Sequence, residues 1–477
     1  HKGLQKVIDR LQNACDEDLP DMKFKRYKFF LKIPLIILGA LANTPSKGRR
    51  VLARVEAQNE KWFRLDAASL TIEEITACCQ EIMMKLTERL GLILYLFSAL
   101  AALPLLDMVC SKWLADGNTR TGKLMAGVGG MVDAAAGLDI WRLAAMANSK
   151  AEVRDLILSN NDWHTIEEKL SGDDSGREFL AEWNRFMLLH GHHCRGELEL
   201  YNKRWIETPD YILKFVRSHV TQMDRMDPVR NFARVAEQRR ELEQQCRKQL
   251  KNPIKRTIFN HLLVRVQEGS VFRENVKSEV IKLLTTMRKM LIELGKRLHD
   301  TGVLENADDI FFFKHEEIAP VVNGKADFDI QQVIAARRAE YNKNSSVTPP
   351  DVVFGKFDPD SYIPDIEDEQ TQVLNGLGVS PGRATGKARV ILRADTEEQL
   401  LAGEILVAPF TDPGWTPYFV PAAAIVMDEG GVISHGSIVA REYGIPAVVN
   451  VGSGTRIIKT GQTIQVDGDH GVVRIVG

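Results

Sequence analysis

The feature that most constrains this chain is a change of hydrophobic period near residue 342. From residue 1 to about 345 apolar residues recur at spacings of three and four, the period of a helix with one buried face. Thr71–Thr87, Ala151–Leu158, Arg177–Leu189 and Val271–Leu298 carry it most plainly. Breakers fall between such segments, at Asn43–Gly48, Gly172–Gly176 and Asn252-Pro253. Residues 342–370 then lose the period and hold Pro349, Pro350, Pro359 and Pro364 among acidic residues, the texture of a linker. From Thr371 short β-branched runs take over: Lys387–Leu392, Glu404–Ala408, Ala424–Met427, Ala447–Val449, Thr463–Val466 and Val472–Val476. Helices are expected between them at Thr396–Leu401, Pro417–Ala422 and Ser437–Tyr443, and Asp467–Gly471 reads as a hairpin turn. The expected architecture is α+β and multidomain: a large all-α domain over 1–345, a linker over 346–370 and a small α/β domain over 371–477, independent of the helices.

Composition narrows the functional classes. A formal net charge of -2 excludes a general nucleic-acid binder, and 44% hydrophobic with 26% charged residues is ordinary for a globular protein. Six cysteines, Cys15, Cys78, Cys79, Cys110, Cys194 and Cys246, form no CxxC pair, so reduced thiols and a cytoplasmic location are expected. The chain starts at His1, which suggests that residues have been removed ahead of it. Leu90–Leu106 carries no charge, and Ile33–Ala42 is too short to span a bilayer. The first stretch, containing Pro104, is expected to be a buried helix or the wall of an apolar cavity rather than a membrane contact.

The segment Asp428–Ala447 concentrates the chemistry. A strand ends near Met427, Gly430 and Gly431 allow a tight backbone path, and His435 falls at the start of the next helix. A helix N-terminus offers free N–H groups to an anion. Ser434 and Ser437 can add hydroxyl donors, and a neutral imidazole is a competent nucleophile. From these residues alone, a helix cap or turn filler explains His435 equally well. Arg273 and Lys277 share one helix face, which is ordinarily a solvated charged stripe; Glu274 beside Arg273 can neutralise it. His190, His192, His193 and Cys194 invite a metal reading, with His190–Cys194 and His193–Glu197 four apart, but no further ligand motif completes a site, so no metal is expected.

Gly430–Val448 resembles the phosphohistidine signature of the dikinase family, which includes phosphoenolpyruvate synthase, pyruvate phosphate dikinase and rifampin phosphotransferase. Gly378–Gly386 and Asp412–Pro417 are similar to its supporting motifs, in the expected order. Ile433-Ser434 before the histidine and Gly436-Ser437 after it look closest to the rifampin phosphotransferase type. Looser likeness in Leu189–Trp205, Phe272–Lys277 and Gly302–Phe313 extends the resemblance to a substrate-binding helical domain. The resemblance implies that His435 is a phosphoryl carrier. It implies a phosphate cradle of Gly431, Ser434, Gly436, Ser437 and Thr416, and that Arg273 and Lys277 face the reacting phosphate. Glu197, Arg204 and Trp205 keep the family's residue types and, with His193, are expected to contact substrate. His193 stands where an Arg is usual, and Asn202-Lys203 where Arg-Pro is usual; His190, His192 and His193 are candidate general bases.

Such enzymes load the histidine from ATP and Mg2+ on an ATP-grasp domain, and no segment of this chain reads as one. The implied function is the C-terminal part of an ATP-dependent phosphotransferase. Its carrier would swivel from a separate ATP-grasp domain or subunit to an apolar small-molecule acceptor, such as an antibiotic, in the helical domain. Two alternatives stay open: an ATP-dependent ligase or condensing enzyme of natural-product (prodigiosin-type) biosynthesis, and a non-catalytic membrane-associated or regulatory binding protein. Phosphoenolpyruvate synthesis is disfavoured, because the barrel that would follow the carrier does not follow Gly477.

Overall fold

A computed structural model describes residues 45–88, 93–114, 118–225, 227–345 and 372–476. The expected linker at 346–370, Cys15 and the Ile33–Ala42 stretch lie outside them. Residues 45–293 and 372–476 form one compact unit and 294–345 a second.

The helical part of the first unit contains α1 (Pro45–Phe63), α2 (Ile72–Glu88), α3 (Ile93–Leu114), α4 (Asn118–Leu124), α5 (Val132–Ser149), α6 (Ala151–Leu158), α7 (Trp163–Leu170), α8 (Asp174–His190), α9 (Pro209–Gln222), α10 (Pro228–Gln249) and α11 (Pro253–Asp300). Each expected helix is present, two with longer ends. Asp162 and Asp173 cap α7 and α8 by accepting from Thr165 N–H and Gly176 N–H, and Asp227 caps α10. The apolar stretch enters α3, which continues through Pro104; Ala102, Leu106, Val109 and Cys110 bury against Phe259, Leu262, Leu263 and Val266. No helix among the described residues is long and apolar enough to cross a membrane. The second unit holds α12 (His315–Val322) and α13 (Ile330–Ser345), where Arg337 pairs with Glu317.

The C-terminal part is an eight-stranded mixed sheet in the order β1-β8-β7-β3-β4-β5-β6-β2. Its strands are β1 (Val373–Asn375), β2 (Leu377–Ser380), β3 (Arg383–Val390), β4 (Ile405–Ala408), β5 (Ala424–Met427), β6 (Ala447–Val449), β7 (Thr463–Asp467) and β8 (Val472–Ile475). β3 to β6 run parallel, and the flanking pairs are antiparallel. The all-buried runs of β4, β5 and β6 match strands covered on both faces. The helices of this part are α14 (Thr416–Phe419), α15 (His435–Tyr443) and α16 (Gly454–Ile457).

Three local expectations need correction. The helix expected at Thr396–Leu401 is irregular backbone. Its carbonyls serve tertiary donors: Lys214 Nζ donates to the Thr396 and Glu398 oxygens, and the Tyr418 hydroxyl reaches Ala394 and Glu398. Strand β3 begins at Arg383, because Arg383–Lys387 pairs with β7 despite Gly386. β1 and β2 are short strands at the two ends of the sheet order, too brief to show an alternating pattern.

Candidate active site around His435

The loops that follow the parallel strands β4 and β5 converge, the usual place for a site on such a sheet. The first carries Asp412–Thr416 and the second carries Gly430–His435. His435 opens α15 with only 8% of its surface exposed, and its Nε2 lies 3.2 Å from the buried Thr416 Oγ1. Thr416 therefore faces the histidine, and the N-cap of α14 is Trp415.

The serines take a different role from the expected one. Ser434 and Ser437 hydroxyls both donate to the Gly431 carbonyl, at 3.0 and 2.7 Å, and share a 2.9 Å contact. Their protons brace the loop, because the turn after Gly431 points that carbonyl inward. Gly436 is required by close approach: a Cβ there would lie 2.2 Å from Thr411 Oγ1 and 2.7 Å from Met427 Cε. Gly431 has open space around it.

Helical residues complete the site. α15 and α14 pack on α5: Tyr443 donates its hydroxyl to the Ala134 carbonyl, and Glu442 accepts from Val128 and Gly129 N–H. Asp412 accepts from Gly196 N–H at 2.7 Å, and Tyr211 donates to the Gly414 carbonyl. This seats His435 Nδ1 3.7 Å from Asp133 Oδ2 and 3.9 Å from Glu274 Oε2. Asp133 lies in the first turn of α5, where the helix dipole favours a carboxylate, and Glu274 projects from α11.

Lys277 closes the network. Its Nζ is 3.3 Å from Asp133 Oδ2 and 3.0 Å from Glu197 Oε2. His193 Nδ1 is 2.6 Å from Glu197 Oε1, and Arg273 pairs with Glu274. Arg273 and Lys277 thus serve carboxylates, in place of a solvated stripe. Burial pulls the Lys277 ammonium down, but Glu197, Asp133 and Glu274 more than offset this and hold it above the usual range. Burial pushes Asp133 up, only partly relieved by Lys277. Burial also opposes Glu197 and Glu274; the His193 hydrogen bond and Lys277 bring Glu197 down to about 2, and His435 and Arg273 hold Glu274 below its ordinary value.

The other expected residues divide. His193 and Glu197 join the network. Arg204 is fully buried with its guanidinium on Cys194, and Trp205, 2% exposed, packs among Phe186, His193 and Tyr211. His190 is held by Asp139 at 2.9 Å and His192 by Ser278 at 2.8 Å; burial lowers both imidazoles. Residues 191–200 form turns, so the spacing of four never places His190 and Cys194 on one helix face. Among the described residues the set whose atoms could share a cation is Asp133, Glu274 and His435, within 4.8 Å of one another. Sequence reasoning missed Asp133 as a site residue and saw Glu274 only as a neutraliser. The available signal was a lone acid in the small, apolar run Met131–Leu138.

A cavity of about 430 Å3 opens between α3, α4 and the loops that follow β2, β5 and β7. Leu103, Pro104, Met125, Val379, Pro381, Val432 and Ile433 give it apolar walls, and Asp107, Arg441, Asp469 and His470 add polar groups.

Comparison with known proteins agrees with this architecture. Residues 91–274 match the rifampicin phosphotransferase fourth domain, and residues 400–471 match the mobile domain of PEP-utilising enzymes. A rifampicin phosphotransferase of Streptomyces sviceus is 30% identical over 371 residues, 76% of this chain and 42% of that protein. One from Bacillus subtilis is 28% identical over 372 residues, with the same coverage. Chondramide synthase of Chondromyces crocatus is 29% identical over 363 residues, 71% of this chain and 9% of that protein. The chain thus spans less than half the length of the two phosphotransferases. Through its fourth-domain segment and its mobile domain, this chain belongs to the rifampicin phosphotransferase family.

Proposed function

We propose that His435 carries a phosphoryl group from an ATP-grasp domain, joined to this chain or separate, to a hydroxyl of an apolar small molecule held by the helical part. The observation that carries this reading is the seating of His435 on α5 and α11, between Thr416 on one ring nitrogen and the Asp133–Glu274–Lys277 network on the other. A carrier must present its histidine to the acceptor's domain, and the packing of α15 on α5 supports that reading. ATP and Mg2+ would belong to the loading domain. Lys277 and Arg273 would exchange their carboxylate partners for phosphoryl oxygens as charge develops. The cavity lined by Leu103, Met125 and Ile433 lies within the size range of small-molecule sites and is the acceptor pocket of this reading.

Labelling with γ-32P-ATP in the full-length enzyme tests the carrier role: acid-labile label is expected on His435, and label that persists in His435→Ala refutes it. The similarity to a region of chondramide synthase supports a second reading, condensation through an activated carboxyl in natural-product assembly. Mass spectrometry of products with a panel of apolar acceptors separates the two, since only the first adds the mass of a phosphate.

A further inference from the structure

The two nitrogens of His435 face opposite chemistries. Nε2 meets Thr416 Oγ1 at 3.2 Å, within hydrogen-bond range, and this is the only described contact of that hydroxyl. If Thr416 donates its proton, Nε2 must offer a lone pair, and the neutral ring then keeps its proton on Nδ1. Nδ1 has no hydrogen-bond partner although the ring is 92% buried, and it points toward Asp133 Oδ2 at 3.7 Å and Glu274 Oε2 at 3.9 Å. Those distances exceed a hydrogen bond, but a ring shift of about one ångström would close one of them. Both carboxylates are acceptors only, so each favours a protonated Nδ1.

We propose that Asp133 and Glu274, supplied by the helical part, are positioning residues that hold the ring proton of docked His435 on Nδ1, leaving Nε2 to carry the phosphoryl group. The proposal rests on the carrier reading and gives docking a chemical purpose. In transfer the acceptor oxygen attacks phosphorus, the P–Nε2 bond breaks, and its electron pair returns to Nε2. The hydroxyl proton passes to solvent. Because Nδ1 keeps its proton throughout, the group that leaves is neutral imidazole, whereas a ring without that proton would leave as the far more basic imidazolate.

The surrounding charges agree. Asp133 on α5, Glu274 on α11 and Glu197 in the turn after α8 set three carboxylates against Lys277 and Arg273. A phosphorylated ring protonated at Nδ1 supplies the missing positive charge. A cation bound by Asp133, Glu274 and His435 is the competing account. It fits less well, because the Lys277 ammonium already lies 3.3 Å from Asp133 Oδ2.

The test uses the whole chain with 15N-labelled histidine and long-range 1H–15N correlation spectra, assigned with His435→Ala. A pyrrole-type Nδ1 and a pyridine-type Nε2 are expected for His435. The preference should be lost in Asp133→Asn/Glu274→Gln, whose folding is checked by its melting curve. Potassium phosphoramidate then phosphorylates the histidine directly. Phosphohistidine should hydrolyse at least tenfold more slowly in the double variant, against a ceiling of roughly 10²–10⁴ for a well-placed proton. A ring protonated on Nε2 in the unsubstituted chain, or equal hydrolysis rates, overturns the proposal. So does stoichiometric Mn2+ binding that disappears in the double variant, which assigns the three side chains to a metal. His435 labelled by phosphoramidate with an Nε2–H ring overturns this inference alone; failure to label His435 at all overturns the carrier reading with it.

Discussion

Replacing Lys277 by Met would expose how the buried network is held together. The ammonium is the shared counter-charge of Asp133 and Glu197, whose side chains are 2% and 3% exposed. Removing one partner of a fully buried pair costs roughly 3–5 kcal/mol, because the remaining charge is stranded. Lys277 itself is 34% exposed, so water can replace part of its effect, and screening reduces the expected loss to about 2 kcal/mol. For a cooperative unit of this size that corresponds to a fall in Tm of roughly 3 °C at pH 7. Adding Glu197→Gln removes one stranded carboxylate and should recover about 1 kcal/mol, a direct measure of coupling.

The deficit should also depend on pH, with a definite sign. Glu197 is held at about 2, below its ordinary 4.5, so it contributes stability above pH 4.5 that is lost as pH falls toward 2. Lys277 supplies part of that depression, so the advantage of the unsubstituted chain should shrink through the same window. Asp133, already raised by burial, would take up a proton at still higher pH without Lys277, which narrows the gap further. Differential scanning calorimetry between pH 7 and pH 2 reads both effects. A Tm difference under about 1 °C at pH 7, or one that grows on acidification, would refute the argument.

Other expectations are simpler. Gly436→Ala should destabilise the chain by roughly 1–3 kcal/mol, seen in urea melts, because its Cβ meets Thr411 Oγ1 at 2.2 Å and Met427 Cε at 2.7 Å. Gly137→Val should disturb seating of the carrier, since a Cβ there lies 2.5 Å from Tyr443 Oη and 3.1 Å from Val420; in the full-length enzyme His435 should still load while transfer falls, and a loss of both in parallel would count against the idea. Cys79 and Cys194 are pushed up to about 12 by burial, so iodoacetamide at pH 8 should modify them only after unfolding; rapid native labelling found by peptide mapping would contradict this.

Much of the molecule was legible in the sequence, for local reasons. Helical period, Asp caps and β-branched runs act over a few residues, so the ends of α6, β5 and β6 were read without error. The likeness around Gly430–Val448 pointed to His435, and the structure sets that residue at the start of a helix beside Thr416. Ser434 and Ser437 were read as anion donors from residue type alone, but the path of the loop gives their protons to Gly431. The failed helix at Thr396–Leu401 has the composition of one, yet Lys214 and Tyr418 take its carbonyls from far along the chain.

The electrostatic partners of His435 lay beyond any local rule. Asp133 precedes it by about three hundred positions, and only the packing of α15 on α5 brings the two within 4 Å. The sequence by itself determined most of the helices and strands and the place of His435 at a helix start. The tertiary structure decided which buried charges surround that residue, because ion pairing and burial depend on distances that spacing along the chain does not encode.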